Sequence, residues 1–134
     1  MALAPEYQAM FDQLAANGRT PRISELPVAD GRNVYRTMRP VNTELPVHQI
    51  EDLTIDGPQS AIPLRIYRPA GDGTFGVLVY FHGGGWVIGD IDTADSVCRE
   101  ISSLAGLVVV SVDYRLAPEH LFPAAIVDSY AAVC

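Results

Sequence analysis

The sequence predicts an α/β fold with a mostly parallel sheet, and three features predict it. Two continuous apolar runs, Phe75 to Phe81 and Leu107 to Val112, suit strands buried on both faces of a parallel sheet. Between them lies a stretch of helical periodicity in which Val97, Ile101, Leu104 and Ala105 share one face. Asp92 or Thr93 supplies its N-cap and Gly106 its stop, so strand, helix and strand form a βαβ crossover.

The remaining elements follow in chain order. Residues 1–40 read as two helical pieces: Tyr7, Met10, Phe11 and Leu14 share a helical face that starts near Pro5 and stops at Asn17-Gly18, and a weaker helix runs from about Val28 to Met38. Val47 to Ile55 alternates loosely, Asp56-Gly57-Pro58 signals a turn, and Ile62 to Arg68 alternates out to Pro69, which predicts an antiparallel pair. From Pro123 onward Ile126, Val127, Tyr130 and Val133 recur at helical spacing and reach Cys134 without a stop signal. Two buried strands need helices on both sides, and only two crossover helices are on offer. The expectation is therefore a piece of a larger α/β domain, with residues 1–45 as a helical cap segment and 46–134 as the N-terminal part of the sheet domain.

Composition removes several function classes. The 134 residues are 49% hydrophobic and carry a formal charge of −7, and all nine basic residues are Arg. A surface for nucleic acid has little to be built from. Without any Lys, a Walker A loop, a Schiff-base enzyme and a Lys-type activator are excluded. Charge is unevenly spread: residues 1–40 hold five Arg against four acids, and residues 41–134 hold four Arg against twelve. Cys98 and Cys134 do not make a disulfide framework, and three scattered His add no metal cluster, so no metal or organic cofactor is expected. No apolar stretch approaches the roughly 18 residues of a membrane span, and no basic leader precedes an apolar run, so the expected location is the cytoplasm.

Two glycine-rich stretches compete for attention. Gly71-Asp72-Gly73-Thr74-Phe75-Gly76 matches G-x-G-x-x-G, but it opens a strand instead of following one, so it predicts a surface turn and no nucleotide. His82-Gly83-Gly84-Gly85-Trp86 lies at the carboxyl end of a buried strand, where ligands of open α/β sheets bind. Backbone free of Cβ atoms can take positive φ and aim two N–H groups at one oxygen, the arrangement that acyl transfer needs for the charge on a tetrahedral intermediate. A plain flexible turn is the alternative that this stretch leaves open.

The second segment decides between them. Asp113-Tyr114-Arg115-Leu116-Ala117-Pro118-Glu119-His120, running on through Phe122-Pro123-Ala124-Ala125, again follows a buried strand. With His82 to Trp86 and Gly89-Asp90-Ile91-Asp92-Thr93 it closely resembles the hormone-sensitive-lipase-like group of α/β-hydrolase carboxylesterases, over about residues 45–134. The resemblance implies the N-terminal half of an α/β-hydrolase fold and hydrolysis of small-molecule carboxylic esters, with no cofactor. It makes the Gly84 and Gly85 N–H groups the oxyanion donors, with His82 and Gly83 shaping the turn and Trp86 lining the acyl or alcohol pocket. Asp113, Arg115 and Glu119 become structural support, with Arg115 and Glu119 as an ion pair. The sequence departs from the group at Ala94, where a His often stands, which puts a loop-to-helix hydrogen bond in doubt.

His82 and His120 are not taken as the catalytic base, because the group draws its base from farther downstream. None of the seven serines, from Ser24 to Ser129, has the G-x-S-x-G context of a nucleophile elbow. The nucleophile, acid and base are thus absent from these residues. The rival readings are a non-catalytic truncated polypeptide or interaction module and, among enzymes, an amide or formamide hydrolase. Self-association through the sheet edge at Val77 to Phe81 is the expected macromolecular contact.

Overall fold

The computed structural model describes residues 4–16 and 22–134. Its elements are helix α1 (Pro5–Ala16), a 3-10 turn (Ile23–Glu25), helix α2 (Val28–Thr37), strands β1 (Gln49–Ile55), β2 (Ile62–Arg68) and β3 (Val77–Phe81), helix α3 (Ile91–Ala105), strand β4 (Val108–Val112) and helix α4 (Ala124–Ala131). The side chains of Tyr7, Met10, Phe11 and Leu14, and the Asn17-Gly18 stop, lie outside the described residues.

The four strands form one mixed sheet in the order β1-β2-β4-β3. β1 and β2 pair antiparallel, as the alternation and turn predict, and β3 runs parallel to β4 with α3 as the crossover. The β2–β4 pairing, also antiparallel, joins the two halves. Side chains alternate across the sheet, so Ile62, Leu64 and Val112 form one core with Tyr114, while Tyr67 and Val109 form another with Ala94 and Cys98 of α3. Alanines of α4 pack against the first core, which places helices on both faces. Burial pushes the Cys98 thiol up to about 11.

Three expectations need correction. The strand pair is unequal: β4 is buried along its length, whereas β3 is paired on one side only and leaves Val77 65% and Phe81 39% exposed. The N-cap of α3 is Asp90, two residues earlier than expected. Its side chain accepts the Thr93 N–H at 2.8 Å, and its own N–H reaches Thr93 Oγ at 2.9 Å, so Thr93 closes a reciprocal capping box instead of being the cap. The fully buried stripe of α3 is Ala94, Cys98 and Ser102; Ile101 packs against the same core, as expected, whereas Leu104 is 79% exposed. Tyr67 of β2 packs in that core, and its hydroxyl donates to the buried Asp95 at 2.9 Å. Gly106 ends the helix in the left-handed region, as expected.

Candidate active site

The candidate site is built on the carboxyl end of β3. His82 leaves the strand with its ring buried, stacked on Tyr114 at 4.3 Å between centroids and 9° between planes. The Tyr114 hydroxyl also donates to the His82 carbonyl. The His82 Nδ1 sits 3.1 Å from the Gly83 carbonyl; a carbonyl only accepts, so Nδ1 carries the proton of that contact. Among the described residues Nε2 has no hydrogen-bond partner; it faces Asp113 Oδ1 at 4.0 Å. Burial raises the Asp113 carboxyl above its usual range.

The next carbonyls are held as well. Gly84 O accepts from Val87 N–H at 3.2 Å and Ile88 N–H at 3.1 Å, Trp86 O accepts from Ala117 N–H at 2.9 Å, and Val87 O accepts from Arg32 Nε at 2.8 Å. This fixes the direction of the amides. In a trans peptide the N–H points opposite to the C=O of the same unit, so anchoring the Gly83 and Gly84 carbonyls aims the Gly84 and Gly85 N–H groups to the other side. Among the described residues neither of those N–H groups makes a hydrogen bond. They border a cleft of about 230 Å3 lined by the 82–86 loop, Phe81, Tyr114 and Ser129.

Glycine is a steric requirement at two positions here. Gly84 has φ 140°, and a Cβ on it would run into the Ile88 carbonyl. Gly89 has φ 96°, and a Cβ there would meet both the Gly83 carbonyl and the His82 ring. Trp86, although not a glycine, also sits at φ 61°, a strained backbone of the kind that collects at functional sites. Its side chain is 64% exposed and borders, with Ala117, Phe122 and Ile126, an apolar hollow of about 390 Å3 beside the cleft.

The 113–125 segment lies under this loop, but not through the expected ion pair. Arg115 does not meet Glu119. It grips the buried Asp128 of α4 with Nε at 2.7 Å and Nη2 at 2.7 Å, and also reaches Gln59. Glu119 instead receives both Nη groups of Arg32, at 2.8 and 2.7 Å. The i, i+4 spacing of Arg115 and Glu119 pairs side chains only on a helix, and residues 113–120 are not helical. The Arg32 hydrogen bonds hold the Glu119 carboxyl down to about 2.

His120 lines the apolar hollow and not the cleft that the Gly84 and Gly85 amides border. Ala94 points into the core beside Tyr67, so the loop side of α3 is tied by other means: Asp90 pairs with Arg36 of α2 at 2.6 Å. Arg32 is the loop support that sequence reasoning missed, whereas Tyr114 lies within the 113–125 segment expected to support the loop. Tyr114 stands two residues past β4 and Arg32 belongs to the Arg-rich leader, but neither position alone names its partner.

Comparison with known proteins decides the lineage. A family model described as alpha/beta hydrolase fold matches residues 78–134. The carboxylic ester hydrolase LipN of Mycobacterium tuberculosis is 50% identical over 99 residues, covering 71% of this chain and 26% of LipN. Carboxylesterase NlhH of the same organism is 47% identical over 112 residues, covering 78% and 35%. A hyperthermophilic esterase from Pyrobaculum calidifontis superposes with a TM-score of 0.82 at 42% identity, over 98% of this chain and 42% of that one. The chain belongs to the hormone-sensitive-lipase-like group of the α/β-hydrolase superfamily. It spans about a quarter to two fifths of the length of these relatives. The glycine motif stands at the carboxyl end of β3, the end of the strands at which ligands of open α/β sheets bind.

Proposed function

We propose that the protein containing this chain hydrolyses carboxylic esters of short acyl chains, and that the Gly84 and Gly85 N–H groups bind the oxyanion. What carries the reading is that these two adjacent amides are open, while the carbonyls of their own peptide units are tied down. A substrate carbonyl in the cleft gains negative charge as a nucleophile adds to it. Two fixed donors stabilise that charge without reorganising, and removing one such donor costs about a hundredfold to a thousandfold in kcat. The serine nucleophile, its acid and its base come from outside these residues, so the 134 residues alone are inactive.

Trp86 and the apolar hollow beside it suit the acyl or alcohol part of the ester. Residues 1–45 act as a cap segment over the body formed by 46–134, and the cytoplasm is the proposed location. Among the described residues no helix is long and apolar enough to cross a membrane. The open edge of β3 is the proposed contact for self-association of the isolated chain.

The test uses p-nitrophenyl butyrate and a serine-directed phosphonate on the full-length protein and on residues 1–134. The full-length protein should turn over the ester and take up one phosphonate, and the 134-residue chain should do neither. A phosphonate attached to any serine within residues 1–134 would refute the reading.

A further inference from the structure

We infer that Arg32 of α2 is a positioning residue for the Gly85 N–H, acting through two peptide units in series. The inference rests on the donor role proposed above for Gly85. The Arg32 Nε donates to the Val87 carbonyl at 2.8 Å. The N–H at the other end of that same peptide unit belongs to Ile88, and it donates to the Gly84 carbonyl at 3.1 Å. The N–H at the other end of the Gly84 unit is that of Gly85, which is open. Because each unit is planar and trans, fixing its carbonyl fixes its N–H, and the orientation passes from the guanidinium to the open amide in two steps.

Arg32 is itself firmly placed. Its Nη groups hold both oxygens of Glu119, and Nη2 also donates to the Ala117 carbonyl at 3.0 Å. The Ala117 N–H is the donor to Trp86 O, so the guanidinium grips both backbones that the loop's return arm is stitched from. A planar fork with five N–H groups can serve four acceptor oxygens at once, which an ammonium with three N–H groups cannot do. Helix α2 contributes little else to the body: Gly31 is its one buried residue, and Arg36 on Asp90 is its second anchor. Arg32 and Arg36 are two of the five arginines before residue 40, and each meets an acid from the acidic part of the chain.

The test is steady-state kinetics of the full-length protein with p-nitrophenyl butyrate, paired with amide exchange over residues 82–89. Arg32→Ala should lower kcat about tenfold to a hundredfold, the range of a misplaced reacting geometry, and leave KM within about threefold. Exchange at Val87 and Ile88, whose N–H groups donate to the Gly84 carbonyl, should quicken while β4 is unchanged. Arg32→Lys should not restore kcat. Unchanged kcat and exchange in Arg32→Ala, or full recovery with Lys, would overturn the inference. Should Arg32→Ala fail to fold, Glu119→Gln carries the test: kcat falls about twofold to tenfold if the fork is what places Arg32, and unchanged kcat and exchange count against it. Replacing the Gly84–Gly85 amide by an ester separates this from the reading beneath it. If that ester keeps full kcat, the donor role fails; if it loses kcat and Arg32→Ala does not, only the relay fails.

Discussion

The two glycine-rich turns at opposite ends of β3 have similar composition and different physics. At the entering end, Gly71 and Gly73 take φ 119° and 130°, and a Cβ on Gly73 would meet nothing within 4 Å. At the leaving end, Gly84 and Gly89 take φ 140° and 96° with backbone or the His82 ring where the Cβ would be. The first turn needs glycine for its backbone angles alone. The second needs it for angles and space, because its carbonyls are drawn inward onto Tyr114, His82, Val87, Ile88 and Arg32. Glycine count therefore says little; which end of the strand a turn occupies, and what binds its carbonyls, says more.

The contrast can be broken most sharply at Gly84. Gly84→Ala forces the Ile88 carbonyl away and should lower kcat of the full-length protein at least about a hundredfold, the cost of losing one oxyanion donor. Gly73→Ala should leave kcat unchanged and lower stability by about 1–3 kcal/mol through backbone strain, read as a shift in Tm. Equal kcat losses in the two variants would erase the distinction. A smaller effect is expected at Tyr114→Phe, which removes the hydroxyl from the His82 carbonyl. Leaving that buried acceptor unpaired should cost about 1–3 kcal/mol in a urea titration, and kcat should fall with it.

Acid should act on one turn and not on the other. Glu119 is held down to about 2 by its hydrogen bonds with Arg32, below the value of about 4.3 for an unfolded Glu. Its contribution is therefore fully present above about pH 5 and is lost as pH falls through about 2. Trp86 is the sole tryptophan and sits in the loop, so its fluorescence reports this release directly. The signal should change between about pH 4 and 2 as Glu119 takes up its proton. A transition confined to neutral pH would contradict the assignment. The smallest effect is expected at Gly85→Ala, where φ is 62° and the space is open. The N–H survives, and the left-handed backbone costs about 1–2 kcal/mol.

Much of the body was legible because its signals are local. β2 spans Ile62–Arg68 as the alternation predicts, Gly106 stops α3, and the glycine motif stands at a strand's carboxyl end. What was not legible depends on contacts across the chain. Leu104 looks like a core residue on its own helix, but it is exposed, and Ala94 and Cys98 are the residues that meet Tyr67 of β2 and Val109 of β4. Arg115 and Glu119 are neighbours in sequence, yet their partners are Asp128 and Arg32, the second of these 87 positions away. The uneven charge of the two halves was the visible trace of the Arg32 and Arg36 contacts, and a charge sum cannot say which arginine meets which acid.

The most direct measurement is the acylation rate of the full-length protein after the amide between Gly84 and Gly85 is replaced by an ester. The change deletes one N–H and keeps the side chains; it also weakens the Gly84 carbonyl as an acceptor for Val87 and Ile88, so Tm is measured beside the rate. With the Gly85 N–H gone, kcat should fall about a hundredfold to a thousandfold with KM little changed. Full kcat in that variant, at unchanged Tm, would show that the Gly85 amide does not hold the oxyanion.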